Sequence, residues 1–181
     1  MTINRLAAAV CLALVCLAAA GSQTTLYSVN YDNQLVTIDP QTGDVTVISA
    51  INGGSVRINS LAVDPITGIL YGGSGRDDGN PCLYTIDRRT AQATLIGSFP
   101  DGPMRDLTFN SMGILYGWSN DYRELCRINK ANASVTVIGG SGSWIGGLDM
   151  DSDGTMYFAE QAWSALYVLS SQTGARVASI P

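Results

Sequence analysis

The 181-residue chain contains no histidine, and only 14% of its residues are charged. Without an imidazole there is no Ser-His-Asp or Cys-His nucleophile pair, no His-ligated zinc or copper, and no histidine acid–base catalysis. Lysine is almost missing as well, Lys130 being the single one, and 10 Lys plus Arg face 15 Asp plus Glu for a formal net charge of −5. Such a chain has no basic stripe of the kind nucleic acid or an anionic membrane surface requires. A sustained 3.6-residue period is also absent, so long helices are not expected. What the chain does have is 20 Gly, 8 Tyr and 3 Trp, which points to a turn-rich β protein, and a length suited to one domain.

Residues 1–20 read as a signal peptide. Arg5 gives a positive start, Leu6 to Ala20 is an unbroken apolar run, and Ala18-Ala19-Ala20 offers a small-residue cleavage site before Gly21. The run is shorter than the about 20 residues a membrane span needs. The expected product is a secreted or periplasmic chain, 21–181, with no membrane attachment after cleavage. Loss of Arg5 takes its charge to 9 − 15 = −6. Cys82 and Cys126 remain, in a compartment that allows disulfides.

Self-comparison shows a repeat. Leu26-Tyr27-Ser28, Leu70-Tyr71-Gly72, Leu115-Tyr116-Gly117 and Met156-Tyr157-Phe158 are successive copies of one strand. Each is followed by a second run (Leu35 to Asp39, Leu83 to Asp87, Leu125 to Asn129, Leu166 to Ser170) and a third (Val45 to Ile48, Ala93 to Ile96, Val135 to Ile138, Val177 to Ile180). A further run precedes the Leu-Tyr strand in three copies only: Leu61 to Asp64, Leu107 to Asn110 and Leu148 to Asp151. Short β-branched and aromatic runs between Gly, Pro, Asn and Asp are strands and turns, and four of them per unit of about 42 residues is the size of a β-propeller blade. A β-sandwich would accommodate the strands but gives no reason for the period. The expected fold is all-β, a β-propeller of about four blades of antiparallel strands, with blades at about 24–50, 58–97, 105–139 and 146–181.

Ile38-Asp39-Pro40-Gln41-Thr42-Gly43 and Leu61-Ala62-Val63-Asp64-Pro65-Ile66-Thr67-Gly68 resemble the turns of secreted bacterial propeller repeat proteins, with related units in NHL-like, YVTN-like and quinoprotein-like propellers. The resemblance implies an architecture far more than an activity.

Three units of four strands and a first unit of three leave the first blade lacking its inner strand. An exposed interior edge must be managed. A four-bladed ring with an incomplete seam, a homodimer forming an eight-bladed ring, and half of a longer propeller are three ways to do so; self-association completing the propeller is the expectation carried forward.

The strand 1–2 and 3–4 turns are tight, and their Asp39, Asp64 and Asp87 have the structural task of Asx turns. The opposite rim carries longer loops with Arg76, Asp78, Arg105, Trp118, Asp121, Tyr122, Trp144, Glu160 and Trp163. Aromatic planes beside charged groups suit a carbohydrate or peptide ligand. The reading is a secreted non-catalytic binding module using that rim. The alternative is a propeller hydrolase or lyase using paired carboxylates such as Asp121 and Glu160. Asp149, Asp151 and Asp153 with Glu160 match the calcium-loop expression, yet a strand separates Glu160 from the three aspartates. These aspartates form a weak calcium candidate, and no other cofactor is expected. Cys82 and Cys126 leave the same face of equivalent strands, so they point the same way around the ring and not at each other.

Overall fold

The computed structural model describes residues 15–17, 25–75, 81–100, 102–119, 121–140, 142, 144–160 and 165–180. The short β-branched and aromatic runs become strands, and where a blade has a neighbour its alternate side chains find apolar partners across the sheet face. Blade 1 holds β1 (Val15–Leu17), β2 (Thr25–Val29), β3 (Gln34–Ile38) and β4 (Val45–Ala50). Blade 2 holds β5 (Ile58–Val63), β6 (Leu70–Ser74), β7 (Cys82–Ile86) and β8 (Ala93–Ser98). Blade 3 holds β9 (Met104–Phe109), β10 (Leu115–Ser119), β11 (Glu124–Ile128) and β12 (Val135–Gly139). Blade 4 holds β13 (Ile145–Met150), β14 (Met156–Glu160), β15 (Ala165–Leu169) and β16 (Arg176–Ile180). Every blade is an antiparallel sheet in sequence order, and the fold is a β-propeller arrangement of four blades. Inner strands of successive blades lie side by side, β5 against β9 and β9 against β13. Among the described residues no helix is long and apolar enough to cross a membrane.

The first blade corrects one expectation. It is four-stranded, because β1 pairs with β2 through Val15↔Tyr27, Cys16↔Leu26 and Leu17↔Thr25. The strand lies inside the segment read as a signal peptide. The same Val-Cys-Leu composition that suits a leader's apolar core also suits a strand, and the inner edge of β2 offers it unpaired N–H and C=O groups.

A period of two sorts the side chains into three cores. Tyr27 and Leu35 of blade 1 meet Leu61, Leu70 and Ile86 of blade 2. Tyr71 and Leu83 of blade 2 meet Leu107, Leu115 and Ile128 of blade 3. Tyr116 and Leu125 of blade 3 meet Leu148, Met156 and Leu169 of blade 4. Blades 1, 2 and 3 thus each present a forward face, led by the second-strand tyrosine and the third-strand leucine, to the backward face of the next. Leu35, Leu83 and Leu125 are each 0% exposed, and burying such a side chain stabilises by about 1.5–3 kcal/mol. Cys82 and Cys126 belong to different cores, the first between blades 1 and 2 and the second between blades 2 and 3, and neither is in a disulfide.

The tight turns are built by their first residue. Asp39, Asp64 and Asp87 each accept, through Oδ1, the backbone N–H groups two and three residues on. Gly43 and Gly174 close the 3–4 turns of blades 1 and 4 at φ of 75° and 68°. In blades 2 and 3 the same place is taken by Ala91 and Ala133 at φ of 58° and 60°, whose methyl groups are buried in the cores.

Lys130 ties two blades together. Its ammonium lies 2.5 Å from Asp64 Oδ2 and donates at 3.1 Å to the Gly113 carbonyl. Burial works against the Asp64 charge, but the Lys130 ammonium and the turn N–H groups together hold its carboxyl below the usual range. Lys130→Met should therefore cost about 1–3 kcal/mol, reduced from the value for a fully buried pair because part of the lysine stays in water. The lowered carboxyl contributes stability above pH 4 that is lost as the pH falls through its folded value, so the gap between wild type and variant should close in acid. Urea melts at pH 7 and pH 3 check this.

Candidate functional site

The loop between β10 and β11 carries Asp121, Tyr122 and Arg123, with Arg123 at a φ of 57°. Neighbours on both sides hold it. The Asp121 carboxylate packs over Gly102, where an added side chain would collide with it. Arg123 donates from Nη1 to the Gly142 carbonyl at 3.2 Å, and its guanidinium lies 4.5 Å from the centre of the Trp144 ring. The loop of one blade is thereby fixed to the entry of its own blade and to that of the next. Tyr122 is 59% exposed and Trp144 45% exposed. One exposed aromatic ring, Trp144, therefore carries a stacked arginine, and the residue before that arginine, Tyr122, exposes a second ring on the same loop as Asp121.

Other rim residues fall elsewhere. Trp118 is a correction: it is 0% exposed and its ring packs 4.6 Å from that of Phe158. β10 continues to Ser119, so alternation sends Trp118 into the blade 3–4 core with Tyr116, and it offers no surface to a ligand. Glu160, the last residue of β14, is also buried. Its Oε1 accepts from Arg176 Nη2 at 2.7 Å, and that guanidinium sits 4.1 Å over Tyr167. Asp121 and Glu160 are thus held by different partners in different blades. Arg105 is half-buried in β9 beside Asp106. Arg76, Asp78 and Trp163 lie outside the described residues.

The three aspartates of the calcium expression serve the local fold. Asp151 Oδ1 accepts from Asp153 and Thr155 N–H, and its Oδ2 accepts from the Tyr157 hydroxyl. Asp149 Oδ1 accepts from the Thr108 hydroxyl and from Met150 N–H. β14 runs from Met156 to Glu160, away from this turn. Among the described residues no group of three or more carboxylates or cysteines is placed to hold a metal ion.

Asp106 went unnoticed in the sequence. It is buried, its Oδ1 accepts from Leu107 N–H at 2.9 Å, and its Oδ2 reaches across to Leu148 N–H at 2.8 Å, joining β9 to β13. Burial pushes its carboxyl up to about 7, against the pull of the two N–H groups. The available signal was positional: Ser60 and Gly147 occupy the matching places in blades 2 and 4.

Residues 17–180 match the family model described as "Repeat of unknown function (DUF6923)". The chain belongs to the DUF6923 repeat family. No curated protein sequence matches it. Its fold matches one chain of a nidogen/laminin complex at 12% identity, covering 92% of this chain and 62% of that one, TM-score 0.66. It also matches a structural genomics protein of unknown function from Bacteroides thetaiotaomicron (18% identity, 94% and 44% coverage, TM-score 0.60) and regucalcin, a calcium-binding protein, from Agrobacterium tumefaciens (18%, 90% and 58%, 0.57). These likenesses establish the fold alone. This DUF6923 chain spans less than two thirds of the length of those structures.

Proposed function

We propose that this DUF6923 repeat protein is a non-catalytic binding module that engages a carbohydrate or peptide through the rim of blades 3 and 4. The observation that carries the reading is the exposed Trp144 ring with Arg123 stacked on it, beside an exposed Tyr122 on a loop held from both sides. A rigid aromatic surface gains contact area at little ordering cost, and the neighbouring Asp121 and Arg123 groups orient a polar ligand. A propeller fold is compatible with binding, as the nidogen/laminin neighbour illustrates. A hydrolase or lyase working through Asp121 and Glu160 has less support, since Glu160 is buried against Arg176.

Glycan and peptide arrays probed with the full chain test this. A ligand class retained by wild type should be bound at least about tenfold more weakly by Trp144→Ala and by Tyr122→Ala. Their stability should change by no more than about 1 kcal/mol, because both rings are largely in water and the Arg123 stack is an exposed one. Equal binding by wild type and both variants would return the rings to mere cover.

A further inference from the structure

The free faces of blades 4 and 1 lead beyond the rim. The chain makes one interface three times, a forward face closing on a backward face, and the pattern that builds it is repeated on both outer blades. On blade 4 the forward face is Tyr157, Ala159 and Leu166. The matching tyrosines of blades 2 and 3, Tyr71 and Tyr116, are buried, and Leu35, Leu83 and Leu125 are fully so. Leu166 is 37% exposed and Ala159 is exposed, whereas Tyr157 is half-buried like Tyr27. On blade 1 the backward face has Leu26 and Ile38, both half-buried, where Leu70, Leu115 and Met156, and Ile86, Ile128 and Leu169, are buried in the other blades. Among the described residues three cores join blades 1 to 2, 2 to 3 and 3 to 4, and none joins blade 4 to blade 1.

We propose that two copies of this chain associate head to tail, the forward face of blade 4 in each covering the backward face of blade 1 in the other, to form an eight-bladed ring with a two-fold axis along its channel. The partner is fixed by the interface itself. A forward face in this chain packs only on a backward face bearing a second-strand leucine or methionine and a third-strand isoleucine or leucine, and a second copy presents one half-exposed on blade 1. Two arcs that each offer one face of either kind close after two copies, and eight blades lie within the range propellers adopt. The surface is distinct from the Tyr122–Trp144 rim, so the proposal stands apart from the binding reading.

Light scattering on the full chain at tens of micromolar should give twice the 19.1 kDa of one copy. Leu166→Arg and Ile38→Glu each alter both interfaces of a homodimer, so each alone should dissociate, weakening the dimer by about 100-fold or more. An equimolar mixture of the two should regain the dimer mass, because the mixed pair keeps one unaltered interface and sets Arg against Glu in the other. Val177→Lys, at an exposed outer edge, should leave the dimer intact. Circular dichroism and melting on each variant confirm folding, and both altered positions are already partly exposed. A wild type of single-copy mass overturns the proposal. So does a dimer that survives either Leu166→Arg or Ile38→Glu, which would place the contact elsewhere or pair like faces, and so does a mixture that stays monomeric.

Discussion

Trp118→Ala should destabilise the protein by about 3–5 kcal/mol, which for a chain of this size lowers the melting temperature by about 10 °C or more. Among the described residues Trp118 is the largest fully buried side chain, and it fills the blade 3–4 core with Phe158, Leu125, Leu148 and Met156. Removing the indole deletes its transfer free energy and leaves a cavity between two sheets that are also held by backbone pairing within themselves, so neither can collapse far to fill it. One detail separates packing from polarity. The indole Nε1–H is buried without a hydrogen-bond partner among the described residues. Trp118→Phe keeps a ring against Phe158 and removes that orphan donor, so its cost should be within about 2 kcal/mol, part of the lost area being offset by the relieved N–H. Urea melts of the two variants check the pair. A loss below about 1 kcal/mol for the alanine variant would mean that the two blades do not pack through this residue.

The second large effect is a pH dependence carried by Asp106. Its carboxyl, pushed up to about 7 by burial, starts from an ordinary value of 3.8 in the unfolded chain. A raised acid holds its proton more tightly when folded, so between these two values the native state binds more protons than the unfolded one. Its contribution is therefore fully present below pH 4 and lost as the pH rises through 7, by an amount on the order of 4 kcal/mol. Asp106→Asn cannot ionise. It should be the less stable protein in acid, because its amide nitrogen meets the Leu148 or Leu107 N–H that a carboxyl oxygen accepts from, but the wild type should lose its advantage by pH 8. Taking the difference between the two proteins removes uncoupled groups such as Asp87 and Asp151, both lowered mainly by backbone N–H donors, whereas the Asp149 charge itself helps to raise Asp106. A difference that is flat from pH 4 to pH 8, or that grows with pH, contradicts the assignment.

Much of the architecture was legible because a propeller repeats its local chemistry. Four copies of the Leu-Tyr strand and the Asx turns mark the blades, and alternation predicts which faces meet, including the separation of Cys82 from Cys126. Three features escaped for identifiable reasons. β1 is only Val15–Leu17, three residues inside an apolar run whose composition serves a leader and a strand alike. Trp118 sits one residue past the Leu-Tyr-Gly motif, and a strand boundary two residues further along turns a rim residue into a core residue. Asp106 reads as one more surface acid unless it is aligned with Ser60 and Gly147 on the inner strands. The rim was legible in part: Tyr122 and Trp144 are exposed, whereas the Arg123 stack on Trp144 depends on a left-handed loop residue and a contact with the next blade, neither of which has a pattern in sequence.

The most direct test of the binding account is calorimetric titration of the strongest array ligand into wild type, Trp144→Ala and Trp118→Phe, with melting curves on the same samples. The account predicts that Trp144→Ala loses the binding heat and keeps its melting temperature, while Trp118→Phe binds as wild type does. Wild-type affinity in Trp144→Ala, or the absence of any retained carbohydrate or peptide on the arrays, would contradict it.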